Sequence, residues 1–173
     1  MNAPRHEILI SNEQIQQRIH QLGSEISKEY QGKTPIFIGI LNGSFIFLAD
    51  LIRKITIDCE VDFIKLSSYR DSQISSGKVT MLKDFDCQIE GRDIIVVEDI
   101  VDSGLSLQYL RRKLTAMKPK SLAFVSLLLK PATVKIDFKI DYVGFSIPDQ
   151  FVVGYGLDHA HKYRNLPGVF VIH

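Results

Sequence analysis

The sequence predicts an α/β fold built on a mainly parallel twisted sheet flanked by helices. Three continuous apolar runs have the character of buried strands: PIFIGIL (Pro35 to Leu41), RDIIVVED (Arg92 to Asp99) and SLAFVSLLL (Ser121 to Leu129). The first two are each followed by a short turn and an amphipathic helical pattern. Repeated strand-turn-helix units build parallel sheets with right-handed crossovers, and such sheets bind ligands outside the carboxyl ends of their strands.

Each element has its own signal. Ser11 with Gln14 forms a capping box for a helix to about Tyr30, with Ile15, Ile19, Leu22 and Ile26 along one face. After the first apolar strand, Asn42-Gly43-Ser44 is a turn, and Phe47, Leu48, Leu51 and Ile52 mark the second helix. CEVDFIKLSSY (Cys59 to Tyr69) alternates as a strand does, and Arg70 to Gly77 is a polar, mobile hairpin loop before VTML. IVDSG turns the RDIIVVED strand into a helix carrying Leu107, Leu110, Arg111 and Leu114 and ending near Met117. Shorter strands are expected at Tyr142 to Ile147, Phe151 to Tyr155 and Val169 to Ile172.

The 173 residues suit one domain, and 45% hydrophobic with 24% charged residues is the mix of an ordinary soluble protein. A formal charge of +1 provides no whole-molecule field for nucleic acid, so any anion site is local. Cys59 and Cys87 lack metal-ligand spacing and companions, which fits a reducing cytoplasm. No apolar stretch is suited to a signal peptide or a membrane span.

The chemistry concentrates at the end of IIVVED. Glu98 and Asp99 stand where an apolar strand emerges, Asp102 follows, and Ser103-Gly104-Leu105-Ser106 leads into a helix. A helix N-terminus offers unpaired N–H groups and partial positive charge, glycine admits an anion close to the backbone, and the serines add hydroxyl donors. This describes a phosphate cradle without a P-loop lysine motif. Adjacent carboxylates can accept from vicinal hydroxyls or hold the water shell of a hard cation, so a phosphorylated sugar satisfies both halves. Taken singly, Asp99 and Asp102 would be turn and capping residues; it is the set that points to a site.

VVEDIVDSGLS resembles the phosphoribosyl diphosphate signature of the type I phosphoribosyltransferases. The resemblance covers nearly the whole chain. GILNGSFIFLADL is similar to that family's diphosphate-loop region, SSYRDS begins like its flexible catalytic loop, and SLLLKP with VGFSIPDQFVVGYGLD resembles its hypoxanthine-guanine branch. The resemblance implies the type I fold as one domain over 1–173, with a small hood formed by the N-terminal segment and about 140–173. It also implies a magnesium-dependent transfer of the phosphoribosyl group from phosphoribosyl diphosphate to a 6-oxopurine, in a homodimer or homotetramer.

By the same resemblance, Glu98 and Asp99 bind the ribose hydroxyls and the metal environment, and Asp102 to Ser106 hold the 5′-phosphate. Asp102 also faces N7 of the purine as the catalytic acid-base group. Lys130 donates to O6, Phe151 stacks on the base and the Val152 backbone meets its 2-position. Asp158 lies near a second magnesium and the diphosphate, which Arg164 grips with Asn42 and Gly43, and Tyr69 closes over the site. Without the resemblance, Lys130 would read as a solvated strand-end lysine, Phe151 as core, and Asp158 and Arg164 as surface charges. His159 and His161 lack a zinc pattern and read as solvent-facing.

Two positions depart from the family pattern. Asn42 stands where many relatives carry a lysine, and Leu105 where some carry a basic residue, which leaves those contacts to backbone N–H groups. The residues do not separate hypoxanthine, guanine and xanthine, and adenine stays open if Lys130 does not face the ring. A non-catalytic nucleotide sensor of the same fold is the rival from another class; the neutral charge and Asp102 weigh against it.

Overall fold

The computed structural model describes residues 6–68 and 79–172. Its elements run β1 (His6–Ile10), α1 (Asn12–Glu29), β2 (Ile36–Leu41), α2 (Phe45–Ile52), β3 (Glu60–Ser68) and β4 (Val79–Lys83). There follow β5 (Asp93–Val101), α3 (Leu105–Ala116), β6 (Ser121–Leu129), β7 (Tyr142–Ser146), β8 (Val152–Val153) and β9 (Val169–Ile172). Six strands form the main sheet in the order β4-β3-β2-β5-β6-β7, parallel except for the antiparallel β3-β4 pair. The expected α/β architecture is therefore the observed one.

Strand order reverses between β2 and β5. From β2 the chain crosses through α2 to β3 on one side, and from β5 it crosses through α3 to β6 on the other. Connections leaving in opposite directions open a crevice at the carboxyl ends of these two strands. Both turns singled out in the sequence, Asn42-Gly43-Ser44 and Asp102 to Ser106, stand there.

Two apolar layers hold the sheet. On one side Ile15, Ile19, Leu22 and Ile26 of α1, all without solvent exposure, pack with Phe47 and Leu51 of α2 against Phe37, Ile95 and Val97. On the other side Leu107, Leu110 and Leu114 of α3 cover Ile36, Ile38, Ile94 and Val96. Apolar side chains alternating to opposite faces and buried on both explain why β2 and β5 read as unbroken hydrophobic runs. The capping box forms as expected: the Gln14 amide donates to Ser11 Oγ at 3.3 Å, and the Ser11 amide donates to Gln14 Oε1 at 2.9 Å.

Three features differ from the sequence reading. β5 continues through Ile100 and Val101, because these residues pair with Leu128 and Leu129 of β6, so the turn begins only at Asp102. The strand expected over Phe151 to Tyr155 is reduced to two residues, since Gly154, Tyr155 and Gly156 all take positive φ and turn the chain away. β1 was not expected; it pairs with β9, which pairs in turn with β8, in a separate three-stranded antiparallel sheet. β7 lies in the main sheet beside β6. Among the described residues no helix is long and apolar enough to cross a membrane.

Leu22→Ala removes a fully buried side chain between α1 and the sheet. It is expected to destabilise the fold by about 2–5 kcal/mol, read as a lowered thermal midpoint.

Candidate functional site

A cleft of about 270 Å³ lies along the carboxyl edge of the sheet, bounded by residues 98–107, Lys130, Phe151, Val152, Leu157 and Asp158. It thus gathers Glu98, Asp99, Asp102, Ser103, Gly104, Leu105, Ser106, Lys130, Phe151, Val152 and Asp158, contributed by four separate stretches of chain. Tyr69, with the rest of the expected closing loop to Gly77, lies outside the described residues.

The loop at α3 is built for an anion. α1 satisfies its Ser11 and Gln14 amides in a capping box, whereas α3 has Gly104 as N-cap, with φ 82° and no side-chain cap bond. The Leu105 amide has only a long 3.5 Å approach to Ser103 Oγ, and the first helical bond runs from the Gln108 amide to the Gly104 carbonyl at 3.0 Å. First-turn N–H groups and the helix dipole therefore face the cleft. Gly104 is required twice over, because any Cβ there would strain the left-handed backbone and collide with Ile136. The segment after β6 braces this loop: the Lys135 amide donates to the Ser103 carbonyl at 3.1 Å, and Gln108 Nε2 donates back to the Lys135 carbonyl at 2.7 Å.

Glu98 and Asp99 form an acidic pair on β5. Glu98 is 8% exposed, and burial, followed by the neighbouring Asp99 charge, pushes its carboxyl well above the ordinary range. Burial raises Asp99 as well, opposed by hydrogen bonds from Glu98 and the Ile100 amide and by the charge of Arg164. Among the described residues no basic side chain lies within ion-pair distance of either carboxylate. The turn after β2 packs directly upon them, since a methyl group at Gly43 would overlap Asp99 Oδ2. Asn42 is exposed, following a cis Leu41–Asn42 peptide bond.

Lys130 is not a solvated strand-end lysine. It is 6% exposed, and its Nζ lies 3.2 Å from Asp102 Oδ2 and 3.2 Å from Asp149 Oδ1. Phe151 is 49% exposed and so is not core; its ring meets the edge of His159 at 5.3 Å between centroids. His159 and His161 are both exposed.

Asp158 and Arg164 belong to each other, at 2.7 Å, and the second Asp158 oxygen accepts from the His161 amide at 2.8 Å. Arg164 also donates to the Gly156 carbonyl at 2.6 Å. Both Asp158 oxygens are thus engaged by groups of its own loop. Among the described residues no three His, Cys, Asp or Glu side chains are placed together to hold a metal ion.

Sequence reasoning missed Asp149, an acid in an unremarkable loop. It also missed the anchor of the 154–156 turn, where the Tyr155 hydroxyl donates to Asp50, a carboxylate that also accepts from Gln16 Nε2 at 2.9 Å. No local signal marks either one, because the partners are 19 and 105 residues apart.

Fold and cleft together define a doubly wound α/β protein that sets an uncapped helix N-terminus, a buried acid pair and a lysine-aspartate pair along the carboxyl edge of its sheet. The profile of the phosphoribosyl transferase domain family matches residues 7–160, and this chain belongs to that family. It is 51% identical over 165 residues to the hypoxanthine-guanine phosphoribosyltransferase of Bacillus subtilis (strain 168), covering 95% of this chain and 92% of that protein. It is 44% identical over 163 residues to the hypoxanthine phosphoribosyltransferase of Escherichia coli (strain K12), covering 93% and 92%. Among solved structures, a hypoxanthine-guanine phosphoribosyltransferase from Bacillus anthracis with a HEPES molecule in the active site superposes with a TM-score of 0.91. Its identity is 48%, over 96% of this chain and 98% of that one.

Two outcomes follow from this geometry. Gly43→Ala forces the β2 turn off Asp99 and is expected to lower turnover by about 100-fold, measured as diphosphate release. Glu98 and Asp99 have raised folded-state pKa values, so the unfolded chain releases these protons first and the pair's contribution to stability falls as pH rises. Glu98→Gln is accordingly expected to raise the thermal midpoint at neutral pH and to flatten its decline as pH rises above the ordinary carboxylate range, in magnesium-free melts.

Proposed function

We propose that this chain transfers the 5-phosphoribosyl group of phosphoribosyl diphosphate to N9 of hypoxanthine or guanine, forming IMP or GMP and diphosphate in purine salvage. The observation that carries the reading is Asp102: it opens the phosphate loop and also ion-pairs with a buried lysine beside an exposed aromatic ring, inside one cleft. The relatives named above support the same chemistry.

In this reading the N–H groups and hydroxyls of Ser103 to Ser106 hold the 5′-phosphate, with Leu105 contributing its amide and no charge. Glu98 and Asp99 accept from the ribose hydroxyls. Asn42 and Gly43 meet the diphosphate through the backbone, and Arg164, held by Asp158, supplies a fixed positive fork near it. The exposed face of Phe151 carries the purine, the Val152 backbone meets its 2-position, and Lys130 donates to O6, which favours 6-oxopurines over adenine. As N9 bonds to C1′, the bond from C1′ to the diphosphate oxygen breaks, and Asp102 manages the purine proton at N7. Tyr69 would complete the enclosure.

The buried acid pair, with no basic side chain at ion-pair distance among the described residues, fits a divalent cation. Glu98 and Asp99 would hold magnesium together with substrate oxygens, as a hard cation that keeps much of its water requires only one or two carboxylates; Asp158, engaged by Arg164, has the smaller share. Bound there, magnesium would offset negative charge on the diphosphate. The three-stranded sheet and residues 154–168 act as the hood in a single domain. A homodimer or homotetramer in the cytoplasm completes the proposal, and native mass measurement tests the assembly.

The test supplies hypoxanthine, guanine, xanthine, adenine and uracil separately with phosphoribosyl diphosphate and magnesium. Diphosphate release is expected with hypoxanthine or guanine and little with adenine, and Asp102→Asn is expected to lose about 100- to 10,000-fold of it. Silence with every base would overturn the reading in favour of a nucleotide-sensing protein.

A further inference from the structure

We propose that Asp149 is a positioning residue that sets how Lys130 addresses the base, and through it the preference for a 6-oxo group. The proposal rests on the purine reading of the cleft.

Lys130 carries a nearly enclosed ammonium group, with its side chain only 8% exposed. Its backbone is fixed, since its amide donates to the Val101 carbonyl at 2.9 Å and its carbonyl accepts from the Val134 amide at 3.2 Å. The long side chain is aimed by two carboxylates at the same distance, 3.2 Å. Asp102 reaches it from the phosphate loop, and Asp149 from the segment between β7 and β8, two residues before Phe151. Lys130 thereby ties the sugar-phosphate half of the cleft to its aromatic half.

An ammonium has three donors. With Asp102 as its one acid partner, the buried charge would settle upon that carboxylate, drawing Lys130 away from the ring and masking the group that exchanges a proton with the base. A second carboxylate pulling from another element divides the ammonium between them and leaves a donor for a ligand oxygen. The Asp149 side chain is 60% exposed, and Lys130 is its one ion-pair partner among the described residues. An acid so exposed adds little to folding stability through such a pair. Its place against a buried ammonium therefore points to aim rather than to support of the fold.

The experiment combines steady-state kinetics with hypoxanthine and adenine, thermal melts, and equilibrium titration of IMP in magnesium-free buffer. It uses wild type, Asp149→Asn, Asp149→Glu, Lys130→Met and the Asp149→Asn/Lys130→Met pair. Asp149→Asn is expected to raise KM for hypoxanthine and Kd for IMP by roughly 10-fold, while KM for phosphoribosyl diphosphate and the thermal midpoint stay unchanged. Asp149→Glu recovers part of the loss, and Asp149→Asn adds nothing to Kd for IMP once Lys130 is Met. An equal loss in the Lys130→Met background would overturn the proposal, because Asp149 would then act through the Phe151 segment alone. So would wild-type constants in Asp149→Asn, provided wild type turns over hypoxanthine. A wild type that neither turns over any base nor binds IMP overturns instead the purine reading beneath it.

Discussion

Negative charge brought to the end of a strand that is buried on both faces is the constraint around which the rest of this structure is arranged. Val96 and Val97 are sealed by opposite apolar layers, and the next two residues are Glu98 and Asp99. Carboxylates held so close to a core, next to each other and, among the described residues, with no basic side chain at ion-pair distance, are costly to ionise. Hydroxyl donors or a cation brought against this pair would relieve that cost. The same residues that disfavour the empty cleft favour the filled one.

The chain supports this edge by close approach rather than by added charge. Gly43 lets the β2 turn rest on Asp99, and Gly104 opens α3 in a left-handed conformation against Ile136. Positive charge is then distributed at a remove. Lys130 is locked to Asp102 and Asp149, and Arg164 is locked to Asp158 and the Gly156 carbonyl. Paired cations of this kind are oriented before a ligand arrives, which lowers the cost of ordering them later. Asn42 and Leu105 add no charge at this edge, where the positive end of the α3 dipole lies.

Much of this was legible in order along the chain. The buried runs of β2, β5 and β6, the capping box of α1 and the Glu-Asp-x-x-Asp-Ser-Gly turn are local patterns, and each is a direct consequence of neighbouring residues. The two extra residues of β5 were not legible, because Ile100 and Val101 remain extended only by pairing with β6. Nor was β1, a strand whose partner, β9, comes from the far end of the chain. Phe151 shows the same limit from the other side: its apolar neighbours suggest core, yet the turn at Gly154 to Gly156 leaves its ring exposed over the cleft.

The sequence by itself determined the α/β class, the position of the phosphate loop and the acids beside it, because hydrophobic period, glycine placement and helix capping act within a few residues. Only the tertiary structure decided which distant groups share the cleft. Lys130 could have been a solvated lysine, and Asp149 gave no sign of being more than a loop acid. Folding brings both to Asp102 because β5, β6 and β7 are parallel neighbours whose carboxyl ends align, and ion pairing there depends on distance in space, which the order of residues does not record.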